Sequence, residues 1–379
     1  MSAAPVRVAI ITGSRADFGL LTPVIRAIDE HSDLAPLVVA GGAHLLPPAR
    51  SIDEVRAQFE VAAEFEMQRA GDSSRLADAA ALGRGIEALA DVLGRLEPDW
   101  VVVLGDRIEA FAGACAASVG GAPLAHLHGG DVAEGVADES MRHAITKLAH
   151  LHLAATTAAA ERIERMGESR ERIEVVGSPA IDALADIPAM DTATAREFGD
   201  PDTLLLLHPI GDSPEVERRR AEGALEALRE RRVLAMHPNH DPGREGILAA
   251  IEAAALPAAP HLPRPTFIGL LKRLAQSGGL MIGNSSAALI EAAALRLPAV
   301  DLGERQAGRE RGGNVVHADG FEPQVIRDTL RAAMAIDRDA ITHPFGAGDA
   351  GRRTAEEIAH RRFAGPGHRR AMIRKRLTY

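Results

Sequence analysis

Val6-Arg7-Val8-Ala9-Ile10-Ile11-Thr12-Gly13-Ser14-Arg15-Ala16-Asp17-Phe18-Gly19-Leu20 reads as a buried-looking strand, a tight turn of small residues and the start of a helix. The same alternation continues outward along the chain. Strands are expected at Pro36 to Ala40, Trp100 to Leu104, Pro123 to Leu127, Leu151 to Ala154 and Ile173 to Val176. Helices fill the gaps, as in Leu76 to Leu96, where apolar residues recur at helical spacing until Pro98 closes the segment. Short apolar strands alternating with helices are the signature of parallel α/β architecture. Between Ile181 and Asp202 the periodicity fades into Asp, Pro, Thr and Ala, which suggests a connection. A second series follows at Thr203 to Leu207, Arg232 to Met236, Leu280 to Ile282 and Ala299 to Leu302. The expectation is an α/β chain of two Rossmann-like domains facing a cleft, one spanning 1–185 and one, nucleotide-binding, spanning 203–350. A helix and basic tail at 351–379 could cross back to the first domain, although a solvated charged tail is the simpler reading of that run.

Composition narrows the function. A chain of 379 residues is about right for two α/β domains of common size. One cysteine, Cys115, excludes an intrachain disulfide and fits a reducing compartment. No signal-peptide pattern and no apolar run near the roughly 20 residues of a membrane span is found, so a cytoplasmic protein without membrane partners is expected. A net charge of -10 and only 3% aromatic residues argue against nucleic acid as a partner.

Three motifs in the first half could carry chemistry. Gly13-Ser14-Arg15 opens a helix whose N-terminus offers N–H groups to an anion, with Arg15 as a forked cation. A tight turn with an exposed arginine reads equally well. Gly105-Asp106-Arg107 ends a strand, where Asp106 could move a proton and Arg107 could hold phosphate; the alternative is a helix cap beside a solvated arginine. His126-Leu127-His128-Gly129-Gly130-Asp131 could signal a metal site, as in amidohydrolases and metallo-β-lactamases, but the downstream His-Asp pair of the lactamase pattern is missing. Asp138 and Arg142 are four apart on an expected helix, so they can pair.

The second half adds His208-Pro209 and His237-Pro238-Asn239-His240-Asp241, histidines ending two successive strands. Its most informative stretch is Gly283-Asn284-Ser285-Ser286-Ala287-Ala288-Leu289-Ile290-Glu291, followed by Gly303-Glu304-Arg305. Small and hydroxyl residues ahead of a long Ala-rich helix make a diphosphate-binding N-terminus. Glu291, expected about one and a half turns into that helix, suits ribose hydroxyls rather than phosphate.

Together these segments resemble the hydrolysing UDP-N-acetylglucosamine 2-epimerases of sialic-acid and legionaminic-acid biosynthesis. The resemblance extends from Gly13 to about Asp349. It is most specific in Gly105-Asp106-Arg107, Asp138 to Lys147, Met281 to Ser286 and Leu302 to Glu310. It implies a glycosyltransferase-B-like fold, a homodimer or homotetramer, and no required metal or nicotinamide cofactor. By resemblance Arg15, Arg107, His208, Asn239, Gly283, Asn284, Ser285, Ser286, Glu291 and Arg305 hold UDP, while Asp106, Asp138, Arg142 and His208 match catalytic positions. One departure stands out: His128 occupies a position where well-studied members carry a carboxylate.

The expected reaction converts UDP-N-acetylglucosamine to N-acetylmannosamine and UDP. The C2 proton is barely acidic until the bond from C1 to UDP breaks, so elimination to a glycal precedes addition of water. Two proton-transfer groups are required, with Asp106 and Asp138 as candidates and His128 or His208 as partner. The alternatives are the same chemistry on a UDP-diacetamido-trideoxy sugar or GDP-N-acetylglucosamine, a retaining glycosyltransferase, a non-catalytic nucleotide-sugar-binding protein, and a metal hydrolase built on His126 and His128.

Overall fold

Val6–Thr12 (β1) leads into Arg15–Asp29 (α1) through a capping box, in which the Ser14 side chain accepts from the Asp17 N–H and Asp17 reaches back to Ser14. The elements that follow are Leu34–Gly41 (β2), Ile52–Arg56 (α2), Val61–Phe65 (β3), Arg75–Leu96 (α3), Trp100–Leu104 (β4), Ile108–Val119 (α4), Leu124–Leu127 (β5), Ala137–Leu148 (α5), Leu151–Ala154 (β6), Thr157–Arg165 (α6) and Ile173–Val175 (β7). The seven strands form one parallel sheet in the order β3-β2-β1-β4-β5-β6-β7. The computed structural model describes residues 4–47, 50–71, 74–132, 137–182, 184–239, 241, 243–363, 365–376 and 378, except for the side chains of 137, 138 and 366.

Next come Thr192–Glu197 (α7), Thr203–Leu206 (β8), Pro214–Ala227 (α8), Val233–Met236 (β9), Arg244–Ala254 (α9), Ala258–Ala259 (β10), Arg264–Ser277 (α10), Leu280–Gly283 (β11), Glu291–Ala294 (α11), Ala299–Leu302 (β12), Val315–Ala318 (β13) and Pro323–Met334 (α12). Six of their strands make a second parallel sheet in the order β10-β9-β8-β11-β12-β13. Ala350–His360 (α13) and Pro366–Ile373 (α14) close the chain. Two compact units result, one from the first sheet's residues with 346–378, the other built around 184–345.

Burial explains which strands were legible. Central β4 is covered on both faces, Trp100, Val102 and Leu104 in one apolar cluster with α1 and Val101 and Val103 in another with α3 and α4. It therefore reads as an unbroken apolar run. The three strands that the pattern misses, β3, β10 and β13, lie at sheet edges and are partly exposed or only two residues long. Pro36 is tolerated in β2 because pairing with β3 begins only at Val38.

Two expectations need correction. The long Ala-rich helix after Ser285 is a single 3-10 turn, Ser286–Ala288, then the four-residue α11. Leu289 and Ala288 are buried on a turn too tight to continue as α-helix, and Glu291 opens α11 instead of lying deep within a helix. The C-terminal basic run is not simply solvated. Arg361 pairs with Glu174, the Lys375 Nζ donates to the Lys147 carbonyl at 2.7 Å, and Trp100 stacks on Phe363 at 5.5 Å between ring centroids.

Candidate functional site

In each sheet the first strand lies between the second and the fourth, so the chain reverses its direction of growth between β1 and β4 and again between β8 and β11. Ligands of open α/β sheets bind outside the carboxyl ends of strands at such points. Thr12 ends β1 and Gly105 follows β4 at the first; Leu207 and His208 follow β8 and Gly283 ends β11 at the second.

At the first switch point the turn after β1 is already occupied by its own carboxylate. Asp17 accepts from the N–H groups of Gly13 and Ser14 at 2.9 Å each and from the Thr12 hydroxyl at 3.1 Å. Two N–H groups expected to face an anion are therefore committed within the turn. Thr12 Oγ1 also lies 3.0 Å from His44 Nε2, whose other nitrogen is 2.7 Å from Ser51 Oγ. Burial lowers the His44 pKa to about 4, so its imidazole is uncharged at neutral pH, and burial also pushes the Asp17 carboxyl up from its ordinary value. Arg15 is paired with Glu54, and Arg107 lies 3.5 Å from the buried Glu109. Glu109 in turn accepts from Gln68 at 2.6 Å. Gly13 permits this approach, since a Cβ there would lie 2.2 Å from that of Glu109.

Asp106 follows β4 and is ion-paired with Arg142 of α5. Arg142 is buried, and its second terminal nitrogen donates to the His128 carbonyl at 2.9 Å. One guanidinium thus joins the loop after β4 to the loop after β5. His126 reinforces the joint: its Nε2 donates to the Gly105 carbonyl at 2.8 Å, and burial lowers its pKa to about 3, keeping it neutral. That hydrogen makes Nε2 unavailable to a metal. Among the described residues no three His, Cys, Asp or Glu side chains come together as metal ligands. The expected pairing of Arg142 with Asp138 falls on a side chain outside the described residues, and His240 lies outside them as well.

At the second switch point the Asn284 amide grips the His208 backbone. Its Oδ1 accepts from the His208 N–H at 2.7 Å and its Nδ2 donates to the His208 carbonyl at 2.8 Å. The Asn239 N–H donates to His208 Nδ1 at 3.1 Å, which puts the imidazole hydrogen on Nε2. Burial lowers the His208 pKa to about 3, with Arg305 adding to the effect. His208 is thus a fixed neutral hydrogen-bond donor, a role that suits holding phosphate better than moving protons. Arg305 donates to the Asn284 carbonyl at 3.3 Å, Ser285 caps the 3-10 turn, and Glu291 lies 3.4 Å from Arg264. Asn284 therefore supports the loop through its side chain rather than offering it to a ligand.

The family model for UDP-N-acetylglucosamine 2-epimerase matches residues 26–359. The chain belongs to the UDP-N-acetylglucosamine 2-epimerase family. A family relative from Neisseria meningitidis serogroup B, named UDP-N-acetylglucosamine 2-epimerase, is 32% identical over 361 residues, 93% of each chain. A Legionella pneumophila protein named UDP-N,N'-diacetylbacillosamine 2-epimerase (hydrolyzing) is 32% identical over 359 residues, 92% of this chain and 94% of its own. The crystal structure of Methanocaldococcus jannaschii UDP-GlcNAc 2-epimerase with UDP-GlcNAc and UDP is similar in fold, with a TM-score of 0.77 at 18% identity, covering 94% of this chain and 100% of that one. The glycosyltransferase-B-like fold class expected from the sequence is thus shared with this family.

The sequence of this epimerase-family chain does not by itself pick out Glu109, Gln68, His44 or Ser178 as parts of either switch point. Each is joined to its partner across 32 to 50 positions, through Gln68 with Glu109, Thr12 with His44 and His128 with Ser178. No local spacing rule covers such separations.

Proposed function

We propose that the chain is a hydrolysing sugar-nucleotide 2-epimerase that converts UDP-N-acetylglucosamine to N-acetylmannosamine and UDP. The observation that carries this reading is the Asp106 carboxylate, held on a buried guanidinium outside the carboxyl end of β4. The ion pair with Arg142 fixes the position of the carboxylate, as a base needs. The family membership, the Neisseria relative and the Legionella relative, named as a hydrolysing 2-epimerase, support the reading.

In the proposed mechanism the residues around β8 and β11 hold the nucleoside diphosphate. The neutral His208 Nε2–H, the hydroxyls of Ser285 and Ser286, and the guanidinium of Arg305 supply fixed donors to it, with Glu291 at the ribose. Stabilising the leaving diphosphate lets the C1–O bond break, and positive charge at C1 then acidifies the proton at C2. Asp106 takes that proton, leaving a glycal, with Arg142 keeping the carboxylate in place. Asp138 is the remaining carboxylate candidate from the sequence. Water adds at C1 while C2 is reprotonated from the other face. A homodimer or homotetramer acting in the cytoplasm fits the reading; no helix among the described residues is long and apolar enough to cross a membrane.

A second reading, the same chemistry on a UDP-diacetamido-trideoxy sugar, is favoured by the equal identity to the Legionella relative. Incubation with a panel of UDP- and GDP-sugars in heavy water, followed by NMR, tests both. Free UDP with an inverted free sugar carrying deuterium at C2 is expected, and the sugar that turns over selects between the readings. Interconversion of two intact nucleotide sugars, with no free nucleotide, would contradict the hydrolysing assignment.

A further inference from the structure

Inversion at C2 needs a group that delivers a proton to the face opposite the one from which Asp106 removes it. His128 was a sequence candidate, but both of its ring nitrogens are engaged. Nδ1 lies 2.8 Å from Asp131 Oδ2, and Nε2 lies 3.0 Å from the hydroxyl oxygen of the fully buried Ser178. A carboxylate can only accept, so Nδ1 carries the hydrogen toward Asp131. Ser178 Oγ accepts from the Ala180 N–H at 3.2 Å, which turns its own hydrogen toward His128 Nε2. His128 sits in the left-handed region at φ 59°, and Arg142 holds its carbonyl. The imidazole side chain is 8% exposed, whereas that of Asp131 is 22% exposed and that of Asp106 is 18% exposed. Arg142 Nη1 lies 4.0 Å from Asp131 Oδ2 while Nη2 holds Asp106, so one guanidinium stands between two carboxylates of similar exposure.

We propose that Asp131 is the second proton-transfer residue of this site, and that His128, backed by Ser178, is the positioning residue that aims it. The proposal rests on the hydrolysing reading above. Asp106 takes the C2 proton as the C–H electron pair becomes the C1–C2 double bond, and UDP leaves with the glycosidic oxygen and its pair. Asp131, a carboxylate at rest, takes a proton from solvent once the glycal has formed and gives it to C2 as the double-bond pair forms the new C–H bond. Water adds at C1, and the proton it loses, like the one on Asp106, returns to solvent. The resting carboxylate lets this chain place histidine at 128 and keep two carboxylates on Arg142.

The test is the product ratio of Asp131→Asn, because elimination through Asp106 survives while reprotonation fails. The variant is expected to release UDP at no less than about a tenth of the wild-type rate, while the inverted sugar falls by about 100-fold and the unsaturated glycal accumulates. A merely structural role would lower both products together. His128→Gln, whose amide still donates to Asp131, is expected to keep the inverted sugar as the main product. Asp131→Asn making UDP and inverted sugar in the wild-type ratio would overturn the proposal, as would glycal from His128→Gln but not from Asp131→Asn. If Asp131→Asn loses UDP binding, Asp131→Glu decides: recovered inverted sugar supports the proposal and its absence overturns it. A wild-type chain that splits no nucleotide sugar would sink the functional reading itself, an outcome distinct from all of these.

Discussion

Asp106 and Arg142 are 36 positions apart, and their pairing is the contact on which the proposed chemistry turns. Both residues were legible as candidates, because an acid at a strand's carboxyl end and an arginine in a helical face are local patterns. Their partnership was not: no local spacing rule joins residues so far apart, and it is the fold that brings Asp106 and the His128 carbonyl to Arg142. Asp106→Asn should lower turnover by about 100- to 10,000-fold, the range of a lost general base. UDP affinity, measured by calorimetry, should stay within a few-fold. Loss of UDP affinity with turnover per bound substrate intact would place Asp106 in binding instead. His208 illustrates the opposite limit of sequence reading, since its position after β8 was evident but its protonation depends on the Asn239 N–H and on burial.

Between β11 and β12 the chain makes two short helical pieces in place of one long helix, and the reason lies in how it leaves the strand. Gly283 has φ 143°, and a Cβ there would sit 1.9 Å from the Leu206 carbonyl oxygen. Only glycine lets β11 lie this close to β8 while Asn284 turns back to the His208 backbone. Gly283→Ala is expected to destabilise the protein by about 1–3 kcal/mol or more, the scale of a backbone forced into a disfavoured region, and to weaken UDP binding. Urea melts and UDP titration check this; a wild-type midpoint with wild-type affinity would contradict it. Strand recognition followed the same physics of position. Central strands with two covered faces declare themselves in the sequence, while edge strand β3, half exposed as Val61-Ala62-Ala63-Glu64-Phe65, has too little apolar pattern to stand out.

Across the whole molecule the buried histidines set an acid limit to stability. Burial lowers the pKa of His44 and His150 to about 4 and of His126 and His208 to about 3, all below the ordinary value of 6.5. Above pH 6.5 both folded and unfolded chains leave these groups neutral, so they add no pH dependence. Between pH 6.5 and 4 the unfolded chain binds protons that the folded one refuses. Stability should therefore fall with pH by about 1.4 kcal/mol per unit for each such histidine. Thermal melts are expected to move to lower temperature from pH 7.5 to 5.5, and a flat profile would contradict the neutral assignment of His208 and His126. The architecture itself, two parallel sheets with the same switch of strand order, was readable because both sheets put their apolar strands at the centre and their chemistry at the carboxyl ends. The most direct test of the central claim is one turnover series in water enriched in both deuterium and oxygen-18, with mass analysis of each product. Cleavage between C1 and oxygen predicts heavy oxygen at C1 and deuterium at C2 of the released sugar, with none of the heavy oxygen in UDP. Heavy oxygen in the UDP, or a C2 hydrogen retained from substrate, would contradict it.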